Sequence, residues 1–148
     1  MENKSLINGK RRARKLVLQA LYQWLMSGAE LIEIELQFRA ANNMDKVDAV
    51  YFCRLLYGVP EYLSILETHF APLLDRPMSQ LNPIELTLLR LSSFELCYCQ
   101  EIPYRVVLNE SVSLAKQYGS QDGYKYVNGI LNRMAKQVRT LEINLESK

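Results

Sequence analysis

One histidine, His69, and three cysteines, Cys53, Cys97 and Cys99, leave this chain little with which to build a metal centre. There is no HExxH, no Cys/His cluster and no carboxylate pair at a catalytic spacing. Cys97 and Cys99 stand two apart, which on a helix puts them on nearly opposite faces, so they cannot chelate one ion. An odd cysteine count excludes a simple disulfide framework and fits a reducing cytoplasm, with the thiols packing as small apolar groups. Neither GxxxxGK[ST] nor GxGxxG is present, and the pairs Gly119/Gly123 and Gly123/Gly129 do not follow a strand. Nothing here indicates an enzyme, a cofactor or a metal. With six glycines and five prolines in 148 residues, no linker and no repeat emerge, and a single domain, 1–148, is the default. No apolar run approaches the roughly 20 residues of a membrane span. Basic residues, an apolar stretch and Ser27-Gly28-Ala29 imitate a signal peptide. Gln19, Tyr22, Gln23 and Trp24 interrupt the stretch, however, so export is disfavoured.

What is present is a charge asymmetry. Five of the six residues from Lys10 to Lys15 are basic: Lys10, Arg11, Arg12, Arg14 and Lys15. Residues 1–15 hold six Lys/Arg against Glu2, a net +5; the whole chain is +2, so residues 16–148 carry −3. A cationic head on a mildly acidic body suggests a localised polyanion site. Clustered Lys/Arg suits a phosphate backbone. A solvated helix start and an anionic membrane surface are the alternatives.

Helical spacing recurs along the chain and strand alternation hardly at all. Residues 10–27 read as a first helix, with Ala13, Val17, Ala20, Leu21 and Trp24 in one stripe. Gly28 ends it. Residues 30–41 form a second helix, broken by Asn42-Asn43. Asp45 or Asp48 then caps a third, which places Val47, Val50, Tyr51, Leu55 and Val59 inward. Gly58 and Pro60 interrupt it before Leu63, Leu66 and Phe70 resume the pattern. Asn82-Pro83-Ile84-Glu85 combines an Asn cap, a first-turn Pro and a Glu at capping-box spacing. The helix it opens is apolar around most of its girth and should be central. Pro103 starts another helix that ends at Gly119, and Ser120 or Asp122 caps the last. Gly129 lies inside that last helix, which implies close approach by a neighbour. From about Asn144 the tail should fray. The sum is an all-α fold of about seven helices, read as two small bundles at about 10–42 and 45–140.

Tyr118, Tyr124 and Tyr126 flank the Gly119–Gly123 joint beside Lys116 and Lys125. Aromatics among cations at an exposed joint suit stacking on single-stranded bases. Arg11-Arg12-Ala13-Arg14 through Gln19-Ala20-Leu21-Tyr22, Val47-Asp48 through Tyr51-Phe52, Ile102-Pro103-Tyr104-Arg105-Val106 and Lys125-Tyr126-Val127-Asn128-Gly129-Ile130-Leu131 follow one another in this order. In this the chain resembles the NusB family of transcription antitermination factors over roughly residues 10–138.

The resemblance implies two three-helix bundles and binding of the single-stranded boxA RNA of ribosomal RNA transcripts. It implies a partner, the small-subunit ribosomal protein that doubles as NusE, and membership of an antitermination complex on RNA polymerase. It maps RNA contacts onto Arg11, Arg12, Arg14, Tyr22, Tyr118, Asp122, Lys125 and Tyr126. With Lys10 and Lys15 of the basic run, these are the candidate RNA-binding residues. A NusE-facing surface is expected near Glu85. The family often has Phe at Tyr126 and Ser-His at Gly123-Tyr124. Asp122, an acid in a cationic site, reads as a cap or as a limit on affinity. Self-association is left open. The alternatives are a helical protein-interaction module without RNA binding, and a relative of the NusB-like domain found fused to a ribosomal RNA methyltransferase.

Overall fold

The computed structural model describes residues 4–146, and among these it holds eight α-helices and no strand. The chain forms two compact units, one running to Glu61 and the other starting at Tyr62. The boundary therefore lies after the third helix, not in the 42–45 joint suggested by the Asn-Asn break.

The first unit contains α1 (Lys4–Ser27), α2 (Leu31–Ala41) and α3 (Ala49–Glu61). Its core is the predicted stripe of Ala13, Val17, Ala20 and Leu21 on α1, joined by Ile34 of α2 and by Phe52, Leu55, Leu56 and Val59 of α3. Helix α1 starts six residues before the predicted Lys10 because its first turns are tied down from elsewhere. Asp48 N–H donates to Gly9 O at 3.1 Å, and Lys10 Nζ pairs with the Asp48 carboxylate at 3.2 Å. Asp48 also caps α3, its Oδ1 accepting from Tyr51 N–H at 2.9 Å. Gly28 ends α1 at φ +68°, a left-handed geometry open to glycine at little cost. Val50, expected inward, is 81% exposed. Phe52, two positions on, lies on the opposite side of the helix, and its burial leaves Val50 facing outward.

The second unit contains α4 (Leu63–Phe70), α5 (Pro83–Tyr98), α6 (Tyr104–Tyr118), α7 (Gly123–Val138) and α8 (Thr140–Glu146). Asn82 Oδ1 accepts from Ile84 and Glu85 N–H at 2.9 and 3.3 Å, so α5 starts where its cap predicts. Packed against α4, α6 and α7, α5 is buried nearly all round. The expected tail is instead α8, and it is fastened by two side chains. Arg139 is 2% exposed and donates to Leu96 O at 2.8 Å and to Glu95 O and Cys99 O at 3.1 Å. Its guanidinium fills the electronegative C-terminus of α5, giving a second, charged donor to carbonyls that already accept from Cys99 N–H, Gln100 Nε2 and Ile102 N–H. Glu142 of α8 pairs with Arg139 at 2.5 Å and caps α6 through Tyr104 N–H at 2.9 Å.

Candidate nucleic-acid interface

Helix geometry divides the basic run of α1 between two faces. Lys10 and Arg14, four apart, turn toward α3. Their charged ends lie 5.5 and 5.6 Å from the Tyr51 ring centroid. Arg14 is only 3% exposed, and Lys10 is half-buried on Asp48. The expectation that Arg14 reaches RNA is therefore corrected: its long side chain is core packing between α1 and α3. Lys10 is likewise committed to fastening α1 to α3.

Arg11, Arg12 and Lys15 are exposed. On a helix, Arg11, Lys15 and Tyr22, at i, i+4 and i+11, share a narrow stripe, and Tyr22 is half-buried within it. Arg12 and Lys15 also edge an open recess of about 240 Å³, completed by Gln19, Asn42 and Asn43 with Leu16 and Val47. The outward part of the head is thus two arginines and a lysine beside a tyrosine and a groove that carries three amides. This arrangement can meet phosphates with charge and bases with a ring and amides.

The α6–α7 joint in the second unit is built around a buried carboxylate. Glu85 is 6% exposed, and its Oε2 accepts from Ser120 N–H at 2.9 Å and from Ser120 Oγ at 2.7 Å. The sequence suggested a capping box at Asn82 and a partner-facing surface near Glu85. Both expectations are corrected for this side chain, which turns inward to hold the joint. Gly119 and Gly123 make room for it. A Cβ at Gly119 would stand 3.1 Å from the carboxylate and 2.7 Å from Ala115 O, and one at Gly123 would overlap the carboxylate. The glycine at 123 thus has a packing reason.

On this frame the joint displays its aromatics. Tyr118 and Tyr126 are half-buried. Tyr124 carries Lys116 Nζ at 4.7 Å and Lys125 Nζ at 5.9 Å from its ring centroid. Asp122 sits at φ +67° and makes no side-chain cap. It forms an exposed ion pair with Lys125 at 3.4 Å, so the capping reading fails and the charge remains at the surface. The Tyr126 hydroxyl donates to Asp75 Oδ1 at 2.9 Å, and the Arg76 guanidinium covers its ring at 4.6 Å. Burial, followed by the Asp75 carboxylate, raises the phenol of Tyr126 above its usual range. Arg76 and then the Tyr126 hydroxyl hold Asp75 down at about 2. The sequence reading missed Asp75 and Arg76. They lie 51 and 50 positions before Tyr126, in a turn with no motif of its own.

The sequence model of the NusB family matches residues 11–136. A transcription antitermination protein NusB of Legionella pneumophila is 64% identical over 148 residues, covering all of both chains.

The chain belongs to the NusB family.

Another NusB protein, from Pseudomonas savastanoi pv. phaseolicola, is 47% identical over 139 residues, 94% of this chain and 84% of that one. A solved NusB structure from T. maritima overlays with a TM-score of 0.74 at 30% identity, covering 86% of this chain and 90% of that one. The NusB match from 11 to 136 spans both units, and so includes the outward head on α1 and the Glu85-supported joint. Among the described residues no group of three or more His, Cys, Asp or Glu could hold a metal ion, and no helix is long and apolar enough to cross a membrane.

Proposed function

We propose that this NusB-family chain binds single-stranded boxA RNA of ribosomal RNA transcripts together with NusE. In this reading it works in the cytoplasm as an adaptor in the antitermination complex on RNA polymerase. The observation that carries the reading is the outward set Arg11, Arg12 and Lys15, of which Arg11 and Lys15 share a stripe with Tyr22 on α1. Exposed cations clustered on one helix can exchange counterions for phosphates. The joint at 118–126 supports it independently, since a sequence-tolerant stacking surface needs rings and cations at the same place, and Tyr124 with Lys116 and Lys125 supplies both. Arg11, Arg12, Lys15, Tyr22, Tyr118, Lys125 and Tyr126 are the residues assigned to RNA, with Asp122 opposing it.

The test is filter binding of a boxA oligoribonucleotide over a salt series, with and without NusE. The reading expects affinity to fall steeply with salt and to rise when NusE is added. Binding that ignores salt, or that is equal for boxA and a scrambled strand in the presence of NusE, would overturn it.

A further inference from the structure

Tyr126 is held by a turn that none of the RNA assignments above includes. Its hydroxyl donates to Asp75 Oδ1 at 2.9 Å and accepts from Asp75 N–H at 3.3 Å. The next residue, Arg76, grips the same carboxylate with Nε at 2.7 Å and Nη2 at 3.1 Å. It also lays its guanidinium 4.6 Å from the Tyr126 ring centroid. The ring is thus fixed at its edge and covered on one face by a cation. The cover lies in water, with the Arg76 and Asp75 side chains 46% and 63% exposed.

We propose that Arg76 is a further RNA-binding residue, parked on the Tyr126 ring by Asp75 and released to phosphate when a base takes that face, so that Asp75 limits the affinity of the site. This rests on the RNA reading above and deepens it.

The magnitudes favour displacement of the cover. An exposed cation–π contact and an exposed ion pair are each worth roughly fivefold or less. Stacking a base on an aromatic ring is worth roughly five- to a hundredfold. The hydroxyl tether does not compete, because it engages the ring's edge and leaves its orientation set for an incoming base. Displaced Arg76 remains beside the site with a planar group suited to phosphate. Asp75 has the opposite effect. It is ionised across the whole range in which RNA is handled, and Arg76 is the cation that neutralises it. When Arg76 moves to phosphate, that carboxylate is left facing a polyanion. Arg76 therefore stays partly engaged with Asp75 and weakens the RNA contact.

The experiment compares the full-length chain with Arg76→Gln, Asp75→Asn and the double variant, by fluorescence anisotropy of a labelled boxA oligoribonucleotide over a salt series. Arg76→Gln should make the slope of log affinity against log salt shallower by about 0.7, the contribution of one phosphate on a single strand. Asp75→Asn keeps an oxygen for the Tyr126 hydroxyl, removes the charge and frees Arg76, so binding should tighten about three- to tenfold. That gain should vanish in the double variant, because it acts through Arg76. Arg76→Lys keeps the charge and should keep the slope, which separates the loss of a phosphate partner from a damaged fold. If the wild type binds and Arg76→Gln leaves its slope unchanged, Arg76 only fastens the turn to α7 and the proposal fails. If Asp75→Asn does not tighten binding, or tightens it equally without Arg76, the limiting role of Asp75 fails. A wild type that does not bind RNA at all would instead overturn the functional reading on which the proposal rests.

Discussion

Gly129 faces solvent, and a Cβ added to it would meet nothing within 4 Å. The close helix approach expected from its place inside α7 is absent, so the glycine brings only its backbone entropy. Gly129→Ala should therefore stabilise the protein by about 1 kcal/mol, raising the thermal midpoint by roughly 2–4 °C. Gly123→Ala should do the reverse, since its Cβ would overlap the Glu85 carboxylate. Parallel melts that move the same way would refute this contrast. A second prediction concerns Tyr57, whose hydroxyl donates to Glu35 Oε1 at 2.6 Å. That bond is the main cause of two shifts: it pushes the phenol up to about 12 and holds the carboxyl below its usual value of 4.5. A phenol whose pKa rises on folding favours the native state while it keeps its proton. Its contribution is complete below pH 10 and fades as pH climbs toward 12. The Glu35 contribution is complete above pH 4.5 and fades as pH falls below it. Tyr57→Phe should remove the first contribution and shrink the second. Urea midpoints of the variant should then fall less than those of the wild type between about pH 9.5 and 11.5. Equal alkaline losses would show that Tyr57 is not their source.

Among the helices, the sharpest contrast is between the two ends of α5. Its start was legible in the sequence, because an Asn, a Pro and two backbone N–H groups complete the cap within four residues. Its end was not, because Arg139, some forty positions later, adds a buried charged donor to three of its carbonyls. The same distance hid α8, whose exposed Leu141 and Leu145 give no inward stripe and whose Glu142 caps α6 from outside that helix. Periodicity found the stripes of α1, α5 and α7. It could not foresee which member of the basic run would be drawn inward, since an arginine stem packs like an apolar chain once Tyr51 lies opposite it. The Glu85 clasp was obscured by a stronger local motif, the capping box, which uses the same carboxylate differently. Arg139 allows a direct test. Arg139→Met keeps the stem's volume but removes the charged donor from Glu142 Oε1 and from Glu95 O, Leu96 O and Cys99 O, which keep Cys99 N–H, Gln100 Nε2 and Ile102 N–H. Hydrogen bonds to a charged group contribute about 1.5–3 kcal/mol each. Arg139→Met should therefore lose about 3 kcal/mol or more in urea unfolding. A loss under about 1 kcal/mol would mean that solvent replaces the guanidinium and that the end of α5 is not sealed.

At the scale of the whole molecule, the charge asymmetry can be resolved into two populations of cations with different duties. The chain carries +2 overall, so an RNA strand meets a nearly neutral protein, and any salt-sensitive affinity must come from where the positive charges point. Arg11, Arg12 and Lys15 point outward, while Arg14 is buried over Tyr51. Replacing Arg11, Arg12 and Lys15 together by Ala removes three positive charges and takes the chain from +2 to −1. Fold stability should change by under about 1 kcal/mol, as is usual for surface positions. The salt dependence of boxA binding should fall by roughly 2, about 0.7 for each phosphate no longer engaged. Arg14→Met removes one charge from the same six-residue run but should have a different consequence. It should lower stability by about 1 kcal/mol, because the Tyr51 ring loses one of the cations packed against it, and leave the salt slope where it was. Unfolding and binding measured on both variants separate the two duties. A slope that falls equally per charge removed in the two variants would mean that Arg14 leaves the α1–α3 packing to reach the RNA. The division of the head into a binding face and a packing face would then be wrong.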